Sequence, residues 1–250
     1  MCASGAVTRS TLRQQIADAL RDEVLAGRLR PGREFTVKQI AEQYGVSTTP
    51  VREALFDLSA QGLLDSDQHR GFRVRGFTVA DYRSMVEART LVIDGVIRGL
   101  FCGPVLSVAQ RDHLVSVRRR AQEAARAAQG GDLDILIGYD LRFWRELGAL
   151  VDNTYISDFL HRLRVQAWVF AVPYLRHDVG AREWLWHGHP ELVAAITLCD
   201  RDAVCAVMDD YNGHSLNWAD RLAAGDPAHP GHDPEPAGQA PPAEEPQPRP

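Results

Sequence analysis

The sequence predicts a mainly α-helical protein in two parts, an N-terminal winged helix-turn-helix followed by an all-helical bundle. The pattern of residues 35–64 is typical of two short helices that are separated by Gly45. An apolar segment follows them and leads into a β-wing. Beyond residue 80, apolar residues recur at helical spacing in several segments, and no strand-like alternation interrupts them. These two patterns give the fold class, mainly α, and the order of its parts.

The first predicted helix covers residues 10–28. Leu12, Ile16 and Leu20 recur at intervals of four and form one apolar face. Ser10 is a plausible N-cap, and Gly27 is expected to end the helix.

The helix-turn-helix prediction is based on capping signals. Thr36 and Gln39 form a capping-box pair at the start of the second helix, and Gly45 suits a left-handed residue at its end. Pro50 fits the first turn of the third helix, where it costs no hydrogen bond. Two short strands, 63–64 and 72–74, are expected to flank a wing tip at residues 68–71.

We predict a winged helix-turn-helix domain over residues 8–75, a linker over 76–80 and a helical domain over 81–224. The helical segments are expected at 78–101, 106–129, 132–151, 154–172, 182–198 and 201–223, with a break from Pro173 to Gly180. Residues 225–250 are predicted to be a disordered tail, because nine of the 14 prolines lie after Asp226 without apolar periodicity.

Charge is divided unevenly along the chain. Residues 1–75 hold 11 Lys and Arg against nine Asp and Glu, whereas the remainder holds 17 against 24. Lys38 is the only lysine, so contacts with phosphate would come mainly from arginine, hydroxyl groups and backbone amides. A local basic face, rather than the net charge, decides whether such a domain binds DNA.

No apolar run approaches the length of a membrane span, and the first ten residues lack the apolar stretch of a signal peptide. The sequence therefore predicts a cytoplasmic protein with no membrane partner.

Small and basic donors cluster around the second helix of the motif. A recognition helix places its N-terminal residues against base edges and its amide dipole toward phosphate. Arg52 is the strongest candidate, because its guanidinium can bridge two acceptors of guanine or clamp a phosphate. The alternative is that the hydroxyl residues merely cap a helix while Arg52 pairs with Glu53 or Asp57.

The chain resembles the GntR family of bacterial transcription regulators, in the branch with a FadR-like, all-helical C-terminal domain of the FCD type. The N-terminal resemblance lies in LRPG at 29–32, the T-x-x-x-x-A run at 36–41, GVSTTPVREAL at 45–55, QGLL at 61–64 and RGFRV at 70–74. The C-terminal resemblance lies in fewer residues, namely Arg89, Asp140, Asn153, His189 and Asp200.

The resemblance implies a DNA-binding transcriptional regulator with double-stranded operator DNA as its partner. The DNA contacts that it implies are Lys38, Ser47, Thr48, Thr49 and Arg52, with His69, Arg70 and Gly71 at the wing tip. Thr48 stands where the family usually has a basic residue, which would alter the base preference without removing DNA binding.

The resemblance also bears on metal binding. Many FCD domains bind a divalent ion through an Asp, a His four residues later and two further His. Here Asp140 and His189 match, but the other two positions are Trp144 and Tyr211. We therefore expect no metal and no other cofactor, with a rearranged site that uses His187 or His214 as the alternative.

The replaced ligands suggest a different pocket. All five tryptophans lie in the C-terminal part, and Trp144 and Tyr211 would fill the volume of the missing metal site. We expect a pocket for an apolar or aromatic effector, unless the aromatic residues simply pack the core and close it. The expected effector-binding residues are Arg89, Asp140, Trp144, Arg164, His189 and Tyr211.

The leading functional prediction is a homodimeric repressor whose operator binding responds to a small-molecule effector in the C-terminal domain. The alternative is a ligand-independent regulator whose C-terminal domain only dimerises. An enzyme is not predicted, because Asp140 and His189 could form an acid–base pair but no nucleophile motif, phosphate loop or complete metal site accompanies them.

Overall fold

The computed structural model describes residues 11–67, 71–100 and 106–225. Within these ranges lie nine α-helices, two short 3-10 helices and one three-stranded sheet, so the chain is mainly α-helical as predicted. Among the described residues, none of the helices combines the length and the hydropathy that crossing a membrane requires. The predicted tail lies outside the described residues, except for Gly225, which ends the last helix.

The N-terminal part is a winged helix-turn-helix. Its elements in chain order are α1 (Leu12–Leu25), β1 (Glu34–Phe35), α2 (Val37–Tyr44), α3 (Thr48–Ala60), β2 (Leu64–Asp67) and β3 (Gly71–Val74).

Helix α1 (Leu12–Leu25) is shorter at both ends than the predicted 10–28. Thr11, not Ser10, is the N-cap, and it forms a reciprocal capping box with Gln14. The helix is capped at Ala26, so the left-handed Gly27 (φ 72°) follows the end of the helix.

The predicted signals around the turn are confirmed. Thr36 and Gln39 form a capping box, and Gly45 ends α2 in the left-handed conformation with φ 65°. Ser47 is the N-cap of α3, but its side chain makes no capping hydrogen bond. That hydroxyl group is therefore not committed to the helix.

The sheet contains a strand that the sequence did not predict. Its order is β1–β3–β2, with both pairs antiparallel and Phe35 opposite Phe72. β1 is only two residues long, too short for an alternating pattern to be recognised. β2 continues to Asp67, and the wing tip at 68–70 lies outside the described residues.

The described residues of the C-terminal part form a bundle of six α-helices, in agreement with the prediction. These are α4 (Val79–Leu100), α5 (Val108–Gly130), α6 (Leu133–Gly148), α7 (Thr154–Leu175), α8 (His189–Thr197) and α9 (Arg201–Gly225). The 3-10 helices Ala149–Val151 and Ala181–Trp184 lie between them.

Two helix bounds in this part differ from the prediction. α7 continues past Pro173 to Leu175, although the proline cannot donate the backbone hydrogen bond of its position. The expected helix over 182–198 begins only at His189. Pro190 occupies its first turn, where a residue without an amide hydrogen is tolerated.

The buried apolar residues form two clusters. The first runs from Leu20 and Leu55 of the N-terminal part to Phe170 and Trp218 of the bundle, so the two parts share one core. The second surrounds Phe143 at the other end of the bundle. Helix α7 contributes apolar residues to both clusters. It also carries Arg164 and Trp168, which line a pocket within the bundle.

Candidate functional sites

Helix α3 presents an exposed N-terminal face from a firmly anchored position. On its buried side, Val51, Ala54 and Leu55 are fully buried, and Leu58 is 1% exposed. On the opposite side, Ser47, Thr48, Thr49 and Arg52 are all exposed. The predicted DNA-contacting side chains of this helix therefore lie on one accessible surface.

Arg52 makes no ion pair with any residue that the structure describes. The predicted alternative of a pair with Asp57 is wrong, because Asp57 accepts two hydrogen bonds from Arg13, at 2.5 and 2.8 Å. On α2, Lys38 lies 3.8 Å from Glu42, but both side chains are largely exposed, which makes this pair weak. Both cations are available to an external anion.

Gly71 has a structural role at the base of the wing. Its φ is 99°, and a Cβ atom there would lie 2.7 Å from the carbonyl oxygen of Phe35 in β1. The glycine is therefore required for β1 to pair with β3, whether or not it also contacts DNA. The predicted contacts His69 and Arg70 lie outside the described residues.

Asp140 of α6 lies at the centre of a buried polar network in the bundle. Its Oδ1 accepts hydrogen bonds from Trp144 Nε1 at 2.9 Å and lies 3.0 Å from His189 Nε2, while its Oδ2 accepts from Trp168 Nε1 at 2.8 Å. Burial alone raises the pKa of the Asp140 carboxyl, but the His189 hydrogen bond and charge, Arg164 and Trp168 together lower it below its ordinary value. The carboxylate is therefore kept ionised.

Two buried arginines meet at one phenol. Arg164 of α7 and Arg89 of α4 each donate to the hydroxyl oxygen of Tyr211, both at 3.0 Å. Arg89 also donates to Asn212 and Ser215 of α9. Neither guanidinium has a carboxylate within 4.0 Å among the described residues. Two cations in the protein interior are thus satisfied by neutral groups and aromatic faces.

Aromatic rings support both guanidinium groups. Arg164 lies 3.5 Å from the ring centroid of Trp144, and Arg89 lies 4.2 Å from that of Tyr211. Burial lowers the pKa of Arg164 to about 10, which still leaves it protonated at neutral pH. The site is therefore positively charged around Tyr211 and negatively charged at Asp140.

Trp186 closes the site from the segment before α8. Its ring lies 4.6 Å from that of Tyr211 and 4.7 Å from that of His189, and its Nε1 donates to Asp210. A Cβ atom on Gly188 would lie 2.6 Å from this ring, so only glycine permits the packing. This segment was predicted to be helical, and the roles of Trp186 and Gly188 were therefore missed.

The predicted effector residues are brought together, but not around one space. Arg89, Asp140, Arg164 and Tyr211 line a polar pocket of about 80 Å³, together with Trp168 and His214. Trp144 lines a second pocket. The buried His189 contacts Asp140 but lines neither pocket. We call the first space the polar pocket.

The donor set does not fit a divalent cation. Both oxygens of Asp140 already accept N–H groups, and Trp144 and Tyr211 supply no imidazole or carboxylate ligand. Within the described residues, no group of three or more His, Cys, Asp or Glu is placed to hold a metal ion. The alternatives His187 and His214 do not complete such a group.

Helix α7 also connects the polar pocket to α3. Gln166, two residues beyond Arg164, donates from Nε2 to the backbone oxygen of Gln61 at 2.8 Å. Gln61 is the C-cap of α3, and it is followed by the left-handed Gly62. A Cβ atom on Gly62 would lie 2.5 Å from the Gln166 amide.

Sequence reasoning missed Gln166 and Trp168. Both face partners that are distant in the sequence, since Trp168 is 28 residues from Asp140 and Gln166 is 105 residues from Gln61. The only available signal was that all five tryptophans fall in the C-terminal part.

Two known families match this chain. Residues 7–74 match the family described as bacterial regulatory proteins, gntR family, and residues 104–213 match the FCD domain.

Among curated proteins, a probable D-xylose utilization operon transcriptional repressor of Paenarthrobacter nicotinovorans is 32% identical over 59% of this chain. The match spans only 62% of that relative's length. The HTH-type transcriptional repressor RspR of Escherichia coli is 26% identical over 79% of this chain and 84% of its own length.

Among solved structures, E. coli McbR/YncC superposes with a TM-score of 0.69 at 19% identity, over 86% of this chain and 100% of that one. At this identity the likeness shows the fold alone.

Proposed function

Since this chain belongs to the GntR family of bacterial regulatory proteins and carries an FCD domain, we propose that it is a homodimeric transcriptional repressor whose operator binding responds to an effector in the bundle. The observation that carries the DNA-binding part is the exposed N-terminal face of α3, with Arg52 free of any ion pair among the described residues. The family is one of transcriptional regulators, not enzymes.

The proposed DNA surface consists of α3 and the residues around it. The free N–H groups at the start of α3 favour a phosphate, while Arg52 is long enough to reach a base edge or a neighbouring phosphate. The proposed contacts are Lys38, Ser47, Thr48, Thr49 and Arg52, with the wing residues His69, Arg70 and Gly71. In a twofold-symmetric dimer, two such faces would read a pseudo-palindromic operator.

The first test measures operator affinity. Duplexes are selected from a random library with the full chain, and the affinity of the best duplex is measured by fluorescence anisotropy. Arg52→Ala should weaken binding roughly 5- to 150-fold, the range expected for one lost base contact. Arg119→Ala is the matched control, because it removes another exposed arginine, from α5 of the bundle. Equal losses in both variants would refute the proposed surface.

The effector part of the proposal is based on the buried arginines. A cation in the interior is costly unless it is paired, and the polar pocket provides space beside Arg89 and Arg164 for a small ligand that carries acceptor groups. Asp140 and His189 would hold the surrounding helices in place. We propose that this site works without a metal, because its donor set does not fit one.

Helix α7 provides the route from pocket to DNA. A ligand at Arg164 would shift α7, and Gln166 would pass that shift to the C-terminal end of α3. Such coupling requires the ligand to favour one of two arrangements of α7.

Gln166→Ala should therefore reduce the effect of an effector on operator affinity while leaving effector affinity unchanged. Arg162→Ala, an exposed change on the same helix, is the control. Full retention of the effector response in Gln166→Ala would exclude this route.

One observation favours a second candidate, a regulator that needs no ligand. The Tyr211 hydroxyl already accepts hydrogen bonds from both arginines, as a ligand oxygen would. This candidate predicts that no compound in a broad metabolite screen raises the melting temperature. A compound that stabilises the wild type, but not Arg89→Gln, would decide for the effector-responsive repressor.

A further inference from the structure

A second pocket shares Arg164 with the polar pocket and is also lined by Trp144. Its volume is about 150 Å³, and none of its lining residues was predicted from the sequence to bind an effector except these two. Six of the aliphatic and thioether side chains that line it come from six separate elements of the bundle: Ile93, Leu147, Leu150, Leu160, Ile196 and Met208. We call this space the apolar pocket.

The size and the lining of the apolar pocket set the class of molecule that it holds. An aliphatic cavity of roughly this volume, about 150 Å³, binds benzene in an engineered protein, because such walls exclude water and give a ring many close contacts. Among the residues that the structure describes, no aspartate or glutamate lines the apolar pocket. A single aromatic ring, or a branched chain of similar size, therefore fits it.

Three of the polar side chains that line the apolar pocket offer donors, whereas the Ser157 hydroxyl already donates to the Gly148 carbonyl. Gln110 uses its side-chain oxygen to accept from the Ser107 amide at 2.9 Å, which leaves its NH₂ group for a ligand. Arg164 can only donate.

His161 supplies a further donor. Its Nε2 lies 2.5 Å from an Arg145 nitrogen that can only donate, so Nδ1 carries the proton. That Nδ1 is buried and has no hydrogen-bond partner among the described residues. A molecule with one acceptor group would give this Nδ1 the partner that it lacks among the described residues.

We propose that the apolar pocket binds a single-ring aromatic or branched aliphatic molecule that carries one hydrogen-bond acceptor. The proposal names a class of ligand for the effector response proposed above, and its biological role rests on that proposed function. Its test measures binding alone, so the two can fail separately.

The test uses toluene and acetophenone, which share a ring and differ in a carbonyl acceptor. Binding to the full chain is measured by saturation-transfer NMR and by isothermal titration. Both should bind, and acetophenone should bind roughly 2- to 12-fold more tightly, as expected for one net hydrogen bond.

Two substitutions fill the apolar pocket from different helices, Leu160→Phe on α7 and Ile196→Phe on α8. Each should weaken both probes at least tenfold. The matched control is Leu163→Phe, one helical turn along α7, where a half-buried leucine packs against the other core cluster. Circular dichroism confirms folding, and a second filling position keeps the test valid if one variant unfolds.

Three results would overturn the proposal. Failure of both probes to bind would mean that the pocket is closed. Equal losses in Leu163→Phe and Leu160→Phe, or undiminished binding in both filling variants, would place the probes elsewhere. Equal affinity for toluene and acetophenone would mean that the pocket does not recognise an acceptor group.

Discussion

The cations of α3 and those of the bundle are held in opposite ways. Arg52 is exposed and has no ion pair among the described residues, so it contributes little to the folded state. Arg89 and Arg164 are each 4% exposed and are held by Tyr211, Asn212 and aromatic faces. The difference teaches that residues of the proposed DNA surface can change without loss of stability, whereas a change at the buried arginines must also preserve the core.

The largest expected effect is at Asp140. Asp140→Ala should lower the free energy of unfolding by about 3–5 kcal/mol, because it leaves Trp144, Trp168 and His189 without their acceptor and Arg164 without a nearby negative charge. Urea denaturation measures this. Asp134→Ala, on the exposed face of the same helix, should cost less than about 1 kcal/mol. Similar losses in the two variants would mean that the buried network is not important for stability.

The second-largest effect on stability is expected at Gly71. Gly71→Ala should lower the free energy of unfolding by about 1–3 kcal/mol, because it combines a left-handed φ with a close approach to the Phe35 carbonyl. Gly95→Ala in α4, where a Cβ meets nothing within 4 Å, should instead stabilise by about 0.5–1 kcal/mol. Thermal denaturation distinguishes the two. A neutral result at Gly71 would favour a role in DNA contact alone.

A smaller effect concerns pH. Burial, with added repulsion from Arg145, Arg21 and Arg164, lowers the pKa of His161 to about 4 from its ordinary 6.5. The unfolded chain therefore binds a proton at His161 more readily than the folded chain does. As a result, the free energy of unfolding is highest above pH 6.5 with respect to this group and falls as the pH drops from 6.5 to about 4. His161→Gln should flatten the dependence of urea stability on pH within this window. An unchanged slope would contradict it.

The smallest expected effect on stability is at Arg52. Arg52→Ala should change the free energy of unfolding by no more than about 0.5 kcal/mol, because the side chain is exposed and makes no ion pair with a described residue. The same protein should lose operator affinity, as proposed above. A loss of several kcal/mol on urea denaturation would show that the contrast between the two regions is false.

The sequence predicted local features better than distant ones. The capping box at Thr36 and the left-handed Gly45 were confirmed because each depends on neighbours within a few residues. β1 was missed because a two-residue strand exists only through its pairing with β3. The segment before α8 was misassigned because its apolar spacing resembles a helix, although Trp186 packs on Gly188 instead.

The candidate effector site was predicted in composition but not in arrangement. The resemblance pointed to Asp140, His189 and Tyr211, and the structure places them in one network. It gave no indication that Trp168 completes the carboxylate shell or that Arg164 divides two pockets. These facts depend on how helices distant in the sequence pack against each other.

The contact between Gly62 and Gln166 sets a condition for exchanging parts between proteins. A side chain at position 62 would collide with the Gln166 amide, and loss of that amide would leave the Gln61 carbonyl without its donor. The two positions can therefore change only together. A chimera that joins a foreign DNA-binding domain to this bundle would have to bring a glycine after its recognition helix or replace Gln166 as well.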